Sequence, residues 1–259
     1  MEDNRQNFNI STTQNLTHVV YRDGLIELRS RDKSLQSVID PAQPGRLCMT
    51  NLEYMAALLL FIVPPERALL LGTSAGGLLH FLRHHYPDCQ LTALDIDQDL
   101  IQQLQQREIL PPADERLDYV FADARHYLTE CRECFDLIMV DIFSGAHTPA
   151  WLLQKSSIEA LYRCTAEGGG VAWNLLVDSE HDFRRFYQDL RQPFNGHTLS
   201  LPVPELDNRI IHAVRDGAPI RDMGENMEIA QRLSARLDLD LMPVLATMYN
   251  TNPAGASLV

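Results

Sequence analysis

The stretch from Glu66 to Asp97, ERALLLGTSAGGLLHFLRHHYPDCQLTALDID, constrains the fold of this chain more than any other. Ala68 to Leu71 form a short apolar run of the kind that becomes a buried strand, and the loop Gly72-Thr73-Ser74-Ala75-Gly76-Gly77 turns it directly into helical periodicity. Leu78, Leu79, Leu82 and Tyr86 fall on one helical face. A second apolar run, Leu91 to Leu94, ends in Asp95. Strand, glycine turn, helix, strand and acid make the βαβ unit that places a nucleotide at a helix N-terminus.

Gly72 and Gly76 lack a Cβ, so the backbone can turn sharply and a ligand can approach it while the first helical N–H groups point outward unpaired. Asp95, at the end of the next strand, is placed to accept hydrogen bonds from two ribose hydroxyls, and Asp97 to cap the helix that follows. A dinucleotide fingerprint wants glycine where this chain has Ser74. That disfavours an NAD-dependent oxidoreductase and favours a single-nucleoside site of the S-adenosylmethionine kind. The competing reading is that the glycines merely turn the chain.

The rest of the chain extends the same pattern. Residues 1–14 are polar and read as a frayed terminus. Residues 15–50 read as a small β appendage: two strands within Val19 to Leu28 joined at Asp23-Gly24, a strong hairpin signal, and a third from Leu35 to Ile39. It is too short to be stable alone. Residues 51–216 read as a doubly wound, mostly parallel α/β sheet. An apolar helix from Asn51 to Val63 precedes the first strand, and strands then alternate with helices: Leu117 to Phe121, Phe135 to Asp141, and Val171 to Val177. A helix from Pro149 to Cys164 is expected to stop at Gly168-Gly169-Gly170. Two final runs, His197 to Val203 and Arg209 to Val214, form a hairpin, which is the strand plan of S-adenosylmethionine-dependent transferases. The tail, residues 217–259, holds an amphipathic helix from about Glu225 to Leu237 and a second near Leu239 to Met248.

In open α/β sheets ligands bind beyond the carboxyl ends of the strands. Gly72, Asp95, Asp123, Asp141 and Asn174 occupy those ends in turn. Asp123 is assigned a hydrogen bond to an adenine amine, with helix capping as its competing role; Ile96 and Ala124 stand beside the two nucleoside acids. Asp141, followed by the loop Ile142-Phe143-Ser144-Gly145-Ala146-His147, is the candidate catalytic residue, holding an amine nucleophile or taking its proton. His147 is the alternative base. Cys131-Arg-Glu-Cys134 precedes a strand and lacks a second pair, and His80, His84 and His85 lack acidic or cysteine partners, so no metal site is expected.

A formal net charge of −13 argues against nucleic-acid or anionic-membrane partners. Five scattered cysteines and no charged-then-apolar leader point to a reducing cytoplasm. The longest apolar run, Met55 to Val63, is too short to cross a bilayer.

The run QSVIDPAQPGRLCMTNLEYMAALLLFIVPPERALLLGTSAGGLLHFLRHHYPDCQLTALDID, with FADARHYL and FDLIMVDIFSGAHTPAWLL, resembles the spermidine synthase-like proteins, a branch of the polyamine aminopropyltransferases. The resemblance extends from about Val19 to Val214. It implies a methyltransferase-type Rossmann sheet with a truncated N-terminal β domain, a site for S-adenosylmethionine or its decarboxylated form, an amine or polyamine acceptor, and a homodimer. It also exposes departures. The family carries an aspartate in a GGGDGG loop that holds the aminopropyl ammonium, and this chain has Ala75. The family's D-x-x-D is kept at Asp141 and replaced at Ser144. A tyrosine that positions the amine is near Tyr54, although a strict count places Thr50 or Asn51 there. Each charge-assisted bond is worth roughly 1.5–3 kcal/mol, so losing two weakens diamine binding by about two to four powers of ten. The expectation is therefore aminopropyl or methyl transfer to an amine-type acceptor, with Tyr54, Ser144 and His147 on the acceptor side. The alternative is a non-catalytic nucleoside- or partner-binding relative.

Overall fold

The computed structural model describes residues 6–145, 147–177, 179–216 and 221–252. Two sheets organise them. The first is antiparallel, in the order β1 (Phe8–Ser11), β2 (Leu16–Arg22), β3 (Leu25–Arg29) and β4 (Leu35–Ile39). Asp23 and Gly24 both have positive φ, 52° and 82°, the conformation that a two-residue hairpin turn requires. Strand β1 corrects the expectation of a frayed terminus: residues 8–11 pair with β2, and Ile10 is fully buried. The inner face of this sheet does not stand alone. Ile10, Val19, Ile26, Leu28 and Ile39 pack with Ile101 and Leu104 of a helix of the second unit.

The second sheet has seven strands: β5 (Arg67–Leu71), β6 (Gln90–Asp95), β7 (Leu117–Phe121), β8 (Phe135–Val140), β9 (Thr165–Leu175), β10 (Thr198–Pro202) and β11 (Arg209–Val214). Their spatial order is β10-β11-β9-β8-β5-β6-β7. Strands β5 to β9 run parallel, and the β10–β11 hairpin adds antiparallel to β9. The chain moves from β5 outward through β6 and β7, then returns to the other side of β5 for β8. The order therefore reverses between β5 and β8, where Gly72 and Asp141 stand side by side. This is a methyltransferase-type doubly wound sheet.

Alternation along the strands divides the core. Ala68 and Leu70 face one side with α1 (Thr50–Ala56), α2 (Gly77–His85), α7 (Met223–Leu237) and α8 (Leu241–Thr251); Leu69 and Leu71 face the other with α4 (Ala124–Glu130), α5 (Lys155–Cys164) and α6 (Glu180–Arg191). Helix α3 (Gln98–Gln106) carries the residues that meet the N-terminal sheet.

Three local expectations change. The helix expected from Asn51 to Val63 is α only to Ala56, and Ala57–Leu60 tighten into a 3-10 turn. The helix expected from Pro149 breaks at Gln154, which is extended, leaving a 3-10 turn at Ala150–Leu153 before α5. The three glycines Gly168 to Gly170 do not end that helix. Strand β9 begins directly at Thr165 and runs through them, and Gly169 is needed there because a Cβ would lie 2.8 Å from the Asp136 carbonyl oxygen.

The C-terminal helices belong to the core. Asp222 and Glu225 form a reciprocal capping box at the start of α7, and Leu241, Val244, Leu245 and Met248 of α8 are buried against the sheet and the Ala57–Leu60 turn. Each such side chain contributes about 1.5–3 kcal/mol relative to exposure. No helix among the described residues is long and apolar enough to cross a membrane.

Candidate functional site

The site is built where the strand order reverses. Gly72 follows β5 with φ +91°, and a Cβ there would lie 2.3 Å from the carbonyl oxygen of Asp141. Glycine at 72 is thus required by the close approach of two strand ends. Ser74 has φ +48°, a left-handed conformation held without glycine. Gly76, φ +81°, is the N-cap of α2 and supplies no side-chain cap, so the first N–H groups of that helix stay available at the cleft.

Asp95 holds this loop. Its Oδ2 accepts from Thr73 N at 2.9 Å and Ser74 N at 3.3 Å, and its Oδ1 accepts from Asp97 N at 3.0 Å. A carboxylate offers about four acceptor positions, so about one remains. A ribose diol that binds both oxygens must therefore displace a loop N–H. Asp97 caps α3 through Leu100 N, as expected, and also accepts from Thr12 Oγ1 at 2.6 Å, which ties the end of β1 to this corner. Ile96 stands 54% exposed beside Asp95. Asp123 caps α4 through Arg125 N at 2.7 Å; its competing role is thus occupied on one oxygen, and Ala124 is buried behind it.

Asp141 lies under the loop, across from Gly72. Its Oδ1 accepts from Asn174 Nδ2 at 2.8 Å, and Asn174 Oδ1 accepts from Asn208 Nδ2 at 2.8 Å. Burial pushes the Asp141 carboxyl up from the ordinary carboxylate value, and the Asn174 amide partly opposes that. Ser144 and His147 form a tight turn, with Ser144 N donating to His147 O at 2.9 Å, and both residues are exposed. Thr148 anchors the end of this loop to Leu176 in both directions. Ala146 lies outside the described residues.

The cleft between Gly72-Thr73-Ser74, Gly77-Leu78-Leu79 and Asp141 is closed further by Gln36 and Ser37 of β4 and by Leu52 of α1. Its volume is about 10 Å³, the space of a single water. A larger hollow, about 570 Å³, lies on the N-terminal sheet around His18, Arg22, Arg29 and Lys33, away from the strand ends.

Two expected positions lie elsewhere. Ala75 is fully buried among Ile10, Ile39, Ile101 and Leu110, so its methyl group points into the core beside the N-terminal sheet and only its backbone belongs to the loop. Tyr54 is 4% exposed, packs in the core, and its hydroxyl lies 3.3 Å from Thr247 Oγ1 on α8. Helical periodicity turns Leu52, not Tyr54, toward the cleft. Gln36, Ser37 and Asn208 reach the site from elements remote in sequence. The segment QSVID marked the first two; no local signal marks Asn208. Among the described residues no group of His, Cys, Asp and Glu stands together as a metal site.

Residues 50–213 match the family model for the spermine/spermidine synthase domain. The chain belongs to the spermine/spermidine synthase family. A polyamine aminopropyltransferase of Neisseria meningitidis is 24% identical over 221 residues, 85% of this chain and 84% of the relative. Among solved structures, a probable spermidine synthase from Corynebacterium glutamicum superposes with a TM-score of 0.72 at 18% identity, covering 89% of this chain and 88% of that one. Human methyltransferase-like protein 13, in complex with SAH, gives a TM-score of 0.63 at 20% identity, covering 73% and 89%. These two likenesses concern the fold.

Proposed function

We propose that this member of the spermine/spermidine synthase family transfers an aminopropyl or methyl group from a sulfonium nucleoside to an amine. The observation that carries the reading is Asp141: a carboxylate drawn in from solvent at the point of strand reversal, against the glycine loop, with one oxygen held by Asn174. In the reaction the amine nitrogen attacks the carbon next to sulfur. The C–N bond forms, the C–S bond breaks, and its electron pair returns to sulfur as a neutral thioether. The new ammonium must lose a proton, and Asp141 is assigned as its acceptor. Its upward-shifted pKa suits that task better than an ordinary carboxylate would. The nucleoside is assigned to the α2 N-terminus and Asp95, with Ile96 against the base and Asp123 near its amine. A second carboxylate is missing at Ser144, so a monoamine is the better-matched acceptor than a dication.

Incubation with S-adenosylmethionine or its decarboxylated analogue and a panel of mono- and diamines tests this. Mass spectrometry distinguishes S-adenosylhomocysteine, the product of methyl transfer, from methylthioadenosine, the product of aminopropyl transfer. Formation of neither with any amine would overturn the proposal.

A further inference from the structure

Asn174 is 1% exposed on β9, and its two side-chain ends are engaged in opposite senses: Nδ2 donates to Asp141 and Oδ1 accepts from Asn208. An amide is nearly symmetric in shape, so packing alone does not choose between this orientation and its flip. The flip would present Oδ1 to the Asp141 carboxylate and turn a donor contact into lone-pair repulsion. Asn208 supports the observed orientation, since its Nδ2 donates to the oxygen of Asn174. Asn208 sits in the β10–β11 connection, where its backbone carbonyl accepts from Val203 N, so the hairpin holds its backbone beside Asn174.

We propose that Asn208, through Asn174, is a positioning residue that holds the Asp141 carboxylate in its ionised, proton-accepting form. The inference deepens the transfer reading of the same site and rests on it for the role of Asp141. The chemistry is specific. An N–H directed at a carboxylate favours the charged form, whereas an oxygen directed at it favours the protonated form, which can donate back. The elements packed around Asp141 bring Gln36, Ser37, Leu52, Gly72, Thr73 and Ser74 to the cleft. Among the described residues, Asp95 is tied to Thr73 and Ser74 of the facing loop, and His147 pairs with Ser144 in the loop that follows Asp141. Among the described residues, burial pushes the Asp141 carboxyl up and the Asn174 amide pulls it down. Among the described residues the Asn174 amide is the side chain that hydrogen-bonds the Asp141 carboxylate, and Asn208 of the hairpin connection holds the other end of that amide.

The test is the titration of the Asp141 carboxyl, read by infrared difference spectroscopy against Asp141→Asn, in the wild type, Asn208→Ala and Asn174→Leu. Loss of the directed N–H is expected to move the midpoint upward by about one pH unit in Asn208→Ala and by at least as much in Asn174→Leu. In transfer assays the acid limb of kcat moves by the same amount while the KM for the nucleoside stays constant. Thermal melting verifies that each variant is folded. An Asn208→Ala midpoint equal to the wild type overturns the inference. Absence of transfer in the wild type would overturn the functional reading, and the infrared titration would still decide the relay.

Discussion

His212 offers the most quantitative test of the packing beneath the site. It lies on β11, fully buried, with Nε2 2.9 Å from the Tyr54 carbonyl oxygen, to which it donates, and with Nδ1 lacking a partner among the described residues. Protonation would place a charge and an unsatisfied N–H in the core, and burial accordingly pushes the imidazole pKa from 6.5 down to about 4. The folded state holds its proton less tightly than the unfolded chain does. The stability this contributes is fully present above pH 6.5 and is lost as pH falls toward 4. At about 1.4 kcal/mol per pH unit, the loss comes to about 3 kcal/mol, a large share of the roughly 5–15 kcal/mol that stabilises a typical protein. Urea unfolding of the wild type and His212→Leu at pH 7, 5.5 and 4 measures it. At pH 7 the variant is less stable by about 1–3 kcal/mol, because the hydrogen bond from His212 to the Tyr54 carbonyl is lost. Between pH 7 and 4 it should lose about 3 kcal/mol less than the wild type. His80 and His85, whose pKa values burial also lowers, contribute to both proteins and cancel in the comparison. Equal losses in the two proteins would mean that His212 holds its proton as tightly in the folded state as in the unfolded chain.

Asp141 carries the opposite sign. Its raised pKa means that the folded state binds the proton more tightly, so its contribution is favourable below the ordinary value of 3.8 and is lost as pH rises through the raised one. Asp141→Asn, which removes the charge and keeps an acceptor for Asn174, should raise Tm at pH 7, by about 2–4 °C for each kcal/mol recovered, and the gain should shrink on acidification; a lower Tm at pH 7 would contradict this. Gly72→Ala should cost at least about 1–2 kcal/mol, from the left-handed backbone alone, and should also separate the ends of β5 and β8, so that an unchanged urea midpoint would exclude the close approach seen here.

Much of the fold is legible in the sequence because local chemistry and tertiary need agree. Asp23-Gly24 supplies the two positive φ values of a hairpin, and Ala68 to Leu71 leads into a loop that only glycine can close against Asp141. Illegibility has equally specific causes. Strand β1 buries Ile10 as its one core residue, and the alternation of FNIS is too brief to register. Gly168 to Gly170 read as a helix stop, yet close strand packing at Asp136 is what requires a glycine there. Tyr54 sits near the site in sequence, but the pitch of α1 turns it toward α8. At the site itself, Asp95 and Asp141 could be read from their places at strand ends. Asn208 could not, because its function depends on a hairpin that brings it to Asn174 across the sheet. Ala75 shows the limit of counting along a motif: its position matches the loop, while its side chain belongs to the core.

The proposed seat of the sulfonium nucleoside is the Gly72–Gly77 loop with Asp95. Thermal-shift titration with S-adenosylmethionine, its decarboxylated analogue, methylthioadenosine and NAD tests it most directly. A ligand at a hundred times its Kd stabilises by about 2.7 kcal/mol, roughly 5–10 °C for a chain of this size. Such a rise is expected with at least one sulfonium nucleoside, as are its loss in Asp95→Ala and its retention in Asp141→Asn. No rise with any sulfonium nucleoside, or equal loss in both variants, would contradict it.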